Sequence, residues 1–171
     1  MGKTQKLVLT SLFFAIAIIL SIIENSLPPL PIAIPGVKFG LSNIAVMYVL
    51  FFLGGKQAYA VAVLKAIFVF STRGWIASVL SLSGGLLSVT VMILFMYIFK
   101  DKVSYLILSI FGAISHNIGQ LIAVSIVYTN LYLLYFFPLL LLTGVMAGIV
   151  TSVLLKFIQP AFKRVGFYNS N

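Results

Sequence analysis

Long apolar stretches separated by brief polar interruptions dominate the chain, and the interruptions are mostly lysine, glycine and proline. The apolar runs extend from Leu7 to Leu27, Phe39 to Leu53, Gln57 to Ser71, Gly74 to Phe99, Val103 to Val127 and Tyr135 to Ile158. Crossing a hydrocarbon core of ~30 Å takes about 20 predominantly apolar residues of α-helix. The pattern therefore predicts an all-α integral membrane protein, a single membrane domain over 1–171 with six transmembrane helices at 7–27, 39–53, 57–71, 74–99, 103–127 and 135–158. Lys3 and Lys6 precede the first run as they would in a secretory signal. That run is long and no small-x-small cleavage site ends it, so it is expected to stay as an anchor.

Composition agrees with the pattern. Apolar residues make up 62% of the chain and charged residues 8%, against roughly a quarter charged in soluble domains; the mean hydropathy is +1.21. The surface must be solvated by lipid. The net charge of +9 follows the membrane topology. Lys3, Lys6, Lys56, Lys100, Lys102, Lys156, Lys163 and Arg164 fall on one side of a weaving chain, and Lys38 and Arg73 on the other. The positive-inside rule then places both termini in the cytoplasm. The aromatic and arginine patch of a nucleic-acid surface is missing, so no nucleic-acid partner is expected.

Two acidic residues, Glu24 and Asp101, are all the chain has. A transferase acting on diphosphates needs clustered carboxylates to hold Mg²⁺, and these two stand far apart. Gly54-Gly55-Lys56 lacks both the earlier glycine and the following hydroxyl of a nucleotide-cradling loop. With no cysteine, disulfides, thiolate catalysis and cysteine-based metal sites are excluded. No catalytic residues, cofactor or metal are expected, and what remains is a membrane-embedded carrier or receptor.

The second and third runs hold about 15 residues each, or ~22 Å of helix, less than the ~30 Å core. With their Gly54-Gly55-Lys56 turn at the cytoplasmic face, both stop short on the outer side and leave a shallow bowl there. Four prolines between Pro28 and Pro35 make the preceding connection extended and stiff. It is either a lid on the bowl or a plain interfacial loop.

Polar residues within the runs narrow the site. Lys65 lies ~13 Å along a helix from Lys56, too deep to snorkel, at a cost of roughly 2.5–3.5 kcal/mol. It faces either a wet cavity or backbone carbonyls. His116 and Gln120 share a helix face, with Asn117 beside them. Asn43 stands just inside the outer end of the second run. A pocket lined by Lys38, Asn43, Lys65, Arg73, His116, Asn117 and Gln120 would take an anionic, partly apolar small molecule; the alternative for the amides is interhelical hydrogen bonding. A lone histidine without a neighbouring carboxylate or second histidine fits a hydrogen-bonding contact better than a metal ligand. Gly144, Gly148 and Ser152 form a small-residue ladder suited to internal packing. Ser11 with Ala15 and Ala17 with Ser21 form looser ones that suit either packing or an external membrane partner.

Three blocks carry a resemblance: Lys38-Phe39-Gly40-Leu41-Ser42-Asn43-Ile44, Leu80-Ser81-Leu82-Ser83-Gly84-Gly85-Leu86-Leu87-Ser88 and Gly112-Ala113-Ile114-Ser115-His116-Asn117-Ile118-Gly119-Gln120-Leu121. They resemble the signature blocks of the Gx transporter family, also called the heptaprenyl diphosphate synthase component I family, over almost the whole chain. The resemblance implies a six-helix bundle like the substrate-binding S components of energy-coupling factor (ECF) transporters. Such a subunit captures a micronutrient outside and docks, through small residues of its first helix, on a transmembrane coupling subunit driven by two ATPases. Here Ser11, Ala15, Ala17 and Ser21 occupy that helix and depart from the family's Ala-xxx-Ala form. The synthase name implies the alternative, a noncatalytic membrane subunit in heptaprenyl diphosphate and menaquinone synthesis. It also points to a quinone or isoprenoid precursor, or a vitamin, as the ligand.

Overall fold

The computed structural model describes residues 2–26, 40–100 and 103–164. The proline-rich segment 28–36 and Lys38 lie outside the described residues. Six α-helices follow one another: α1 (Lys3–Ser26), α2 (Ser42–Phe52), α3 (Gly55–Arg73), α4 (Trp75–Phe99), α5 (Tyr105–Val127) and α6 (Phe137–Arg164), with a 3-10 segment at Leu131–Phe136 before the last. Among the described residues there is no strand.

Tight glycine corners make the bundle possible. Gly74 alone separates α3 from α4, at φ 83°, and Gly54 opens α3 at φ 104°. A side chain disfavours that region of backbone space, so glycine is what lets the chain reverse within a residue or two. At the start of α5 the hydroxyl of Ser104 accepts from the Ile107 amide at 3.3 Å, capping an otherwise unpaired donor.

Among the described residues, four segments are long and apolar enough to cross a membrane: Lys3–Ser26, Trp75–Phe99, Tyr105–Val127 and Leu131–Phe157. The chain is thus a membrane protein. Its outer surface agrees, since Leu7, Tyr97, Ile126 and Phe157 are among the most exposed side chains, an arrangement suited to lipid and not to water. Two helices depart from the lengths expected of them. α2 has 11 residues, or ~16 Å, shorter than its apolar run, while α3 has 19, longer than its run, because Gly55, Lys56, Thr72 and Arg73 join the helix. The bowl expected from two equally short helices is therefore not what forms; α2 alone is short.

Sequence neighbours pack side by side: α3 on α4, α4 on α5 and α5 on α6, with α1 against both α2 and α3. The main core gathers Phe13 and Ala17 of α1, Tyr48 and Val49 of α2, Val61 and Ala62 of α3, and Val89 and Met92 of α4. Tyr48 lies between two rings, with centroids 4.5 Å from Phe13 and 4.3 Å from Phe52. A second cluster, Leu80, Leu121, Val124 and Leu140, joins α4, α5 and α6.

Close approach comes from small residues. A β-carbon on Gly148 would stand 2.4 Å from Ile110 Cα, and one on Gly119 would stand 2.8 Å from the Ser83 carbonyl oxygen. The sixth-helix ladder is spent on α5, where Ser152 is also fully buried. Buried hydroxyls add cross-links: Ser88 Oγ donates to the Gly112 carbonyl at 2.8 Å and Ser78 Oγ to that of Ala66 at 2.8 Å. Such contacts replace the hydrophobic driving force that lipid cannot supply between helices.

Candidate functional site

Lys65 occupies the middle of α3 and is only 3% exposed. Its ammonium donates to Asn43 Oδ1 at 2.7 Å and to Ser42 Oγ at 3.2 Å, both at the start of α2. Two of its three N–H donors are thereby used. The neighbouring α2 begins where it does because Asn43 and Ile44 turn back onto the Gly40 and Leu41 carbonyls, and this turn delivers Ser42 and Asn43 to the lysine.

Lys65 also lines a cavity of about 40 Å³, room for a few water-sized groups. α1 contributes Ser21 and Glu24 to its wall, α3 adds Val69 and Arg73, α4 adds Ala77, Leu80 and Ser81, and α5 adds His116 and Gln120; Gly40 and Ser42 complete it. Glu24 is buried, and its Oε1 accepts from the Gly40 amide. This hydrogen bond fixes the end of α1 to the start of α2. The carboxylate is also close enough to act electrostatically on both Lys65 and Arg73. The cavity is therefore polar and carries charges of both signs, with two cations to one carboxylate among the described residues.

Two buried atoms there have no satisfied role among the described residues. Gln120 Oε1 and His116 Nδ1 lack a hydrogen-bond partner of good geometry, although the Gly84 main chain lies directly beside the imidazole. A buried acceptor left unmade costs about 1–3 kcal/mol, and such groups in a cavity are poised to receive a partner from outside the chain. Among the described residues no three His, Asp or Glu side chains gather as a metal-binding group.

Of the residues singled out by sequence, Lys65, Arg73, His116 and Gln120 meet at this cavity. Asn43 reaches it through its bond to Lys65. Asn117 does not line it: its Nδ2 donates to the Leu140 carbonyl at 2.9 Å and to Thr143 Oγ1 at 3.3 Å, which ties α5 to α6. Asn43, His116 and Asn117 do share a smaller void of about 10 Å³ next to it. Lys38 lies outside the described residues. On α1, Ser11 and Ala15 are exposed, whereas Ala17 is fully buried in the core and Ser21 lines the cavity. Only the first pair faces outward.

Glu24 and Ser21 were not expected in the site. The signal for Glu24 was present, since an ionisable residue within a membrane span marks a functional position by default.

A polar cavity between membrane helices, lined by charges of both signs and by His116 and Gln120 of one of the blocks quoted above, is the candidate site of this membrane protein. The chain belongs to the heptaprenyl diphosphate synthase component I family, whose sequence pattern matches residues 13–158. No curated protein and no solved structure matches it.

Proposed function

We propose that this chain is the substrate-binding membrane subunit of an uptake transporter of the energy-coupling factor type. In this reading the six-helix bundle sits in the cytoplasmic membrane of a bacterium, with the short α2 reaching only part of the way across, and both termini are cytoplasmic. The cavity holds the anionic head of a partly apolar micronutrient, such as a quinone or isoprenoid precursor or a vitamin. Lys65 and Arg73 neutralise the head, while His116 and Gln120 contribute hydrogen bonds.

The observation that carries this reading is Lys65: an ammonium buried at mid-helix, held by Ser42 and Asn43, with a donor left for a cavity. Placing a charge there is costly, and an anionic guest offsets the cost. The subunit is noncatalytic and has no energy source of its own, so a membrane coupling subunit and two ATPases complete the assembly. The exposed Ser11 and Ala15 face of α1 is the surface offered to that partner.

A second reading is favoured by the family match itself, whose name describes one component of heptaprenyl diphosphate synthase. There the chain is a noncatalytic membrane subunit beside a soluble prenyltransferase. Purification of the tagged protein from its native membranes separates the two. A coupling membrane protein with ATPases supports the transporter, and a soluble prenyltransferase supports the synthase. Mass spectrometry of small molecules released from the same preparation, compared with a Lys65→Met variant, tests the site. An anionic compound present in the wild type and lost from the variant is the expected result. The same compound retained at equal occupancy removes Lys65 from the site.

A further inference from the structure

The cavity holds more than an anion needs. Glu24 lines it together with Lys65 and Arg73, yet among the described residues no ion pair joins the carboxylate to either cation; its hydrogen bond goes to the Gly40 amide. Glu24 and Lys65 are both buried, whereas Arg73 is exposed, and opposite charges buried in low dielectric normally collapse into contact because isolated burial of each is expensive. Here the main-chain bond holds the carboxylate back on α1, while Ser42 and Asn43 hold the ammonium on the α2 side. The gap between them is the cavity.

We infer that the guest bridges this gap: it is an organic monoanion that also carries a hydrogen-bond donor, a hydroxyl or N–H, and Glu24 is the residue that reads the donor. This rests on the reading of the cavity as an anion site. The charges support a single negative charge on the guest, since among the described residues two cations and one carboxylate leave one positive charge to balance. The acceptors support the donor. Gln120 lines the cavity and its buried Oε1 has no partner among the described residues, so a donor carried by the guest would satisfy it. A guest with an acid group and nothing else leaves this oxygen unmet and sets its own charge against Glu24. Sites built to hydrogen-bond a polar group reject analogues that lack it far more strongly than apolar pockets reject size changes.

The test uses the full chain purified in detergent, with benzoate, the three hydroxybenzoate isomers and phenol as probes in titration calorimetry. Benzoate supplies charge without a donor, phenol a donor without charge, and the isomers supply both at three spacings. At least one hydroxybenzoate is expected to bind about tenfold tighter than benzoate, with phenol weakest. Glu24→Gln keeps an oxygen for the Gly40 amide but turns an NH₂ toward the guest. It should strengthen benzoate and reduce the hydroxybenzoate preference to within about twofold. Should that variant fail to fold, Glu24→Asp keeps the charge and withdraws it by one methylene. It should reduce the preference while leaving benzoate affinity unchanged.

Equal binding of benzoate and all three isomers by the wild type, or a preference unchanged in both Glu24 variants, overturns the donor inference. If benzoate binding is then still lost in Lys65→Met, the anion site stands without it. If none of the probes binds, the anion reading and the donor inference fall together.

Discussion

Gly148→Ala adds one methyl group at the closest approach of α6 to α5. The added carbon would stand 2.4 Å from Ile110 Cα, 2.8 Å from the Ile110 nitrogen and 2.9 Å from the Ser109 carbonyl oxygen. Ordinary carbon contacts lie near ~3.5 Å. All three obstructing atoms are main chain, so no rotamer change relieves the clash, and the helices must part by about 1 Å. Overpacking costs up to about 3 kcal/mol, against which alanine returns about 1 kcal/mol of helix propensity over glycine. The net loss is about 2 kcal/mol, up to a ~30-fold fall in the folded-to-unfolded ratio. Gly144 provides the control four residues away. A β-carbon there meets Ile114 Cα at 3.1 Å, a contact that a shift of a few tenths of an ångström relieves, so Gly144→Ala should be near neutral. Unfolding by SDS titration in mixed micelles, followed by circular dichroism, ranks the two. Equal stability of Gly148→Ala and the wild type would refute the argument that this crossing is held by backbone contact.

Gly84→Ala would place its β-carbon 2.8 Å from His116 Nδ1 and 2.9 Å from Gln120 Cγ; because those side chains can move, stability should fall little while hydroxybenzoate affinity drops about tenfold, a loss of ~1.4 kcal/mol, read by calorimetry. Asn117→Ala should do the reverse. It removes the two bonds to α6 and costs about 1 kcal/mol in SDS unfolding, since Thr143 Oγ1 still serves the Leu140 carbonyl at 3.1 Å, and probe binding stays within about twofold.

The helices were largely legible because apolar runs bounded by glycine and lysine leave few other solutions. α1, α4 and α5 begin and end within a few residues of the runs that predict them. α3 was misjudged because Lys56 and Arg73 read as loop, though the ends of a helix tolerate charge readily. The site was legible where depth alone carries the signal, as for Lys65. Helical direction decides the rest: successive residues point about 100° apart, so His116 lines the larger cavity while Asn117 meets it only at the smaller void. Asn117 therefore turns to α6, while Gln120, one turn on, stays with His116. Glu24 carried a signal, a charge within a span, but not its place in the bundle. Its place depends on a bond to Gly40, a residue 16 positions on, and no local pattern encodes that closure.

The brevity of α2 bears on how far a solute has to travel. Ser42 borders the cavity and Phe52 ends the helix, ~16 Å further along, roughly half the thickness of an insulating hydrocarbon layer. On the transport reading proposed above, a molecule seated against Lys65 would have about the length of α2 left to pass before the Phe52 end, a shorter step than the full height of the longer helices.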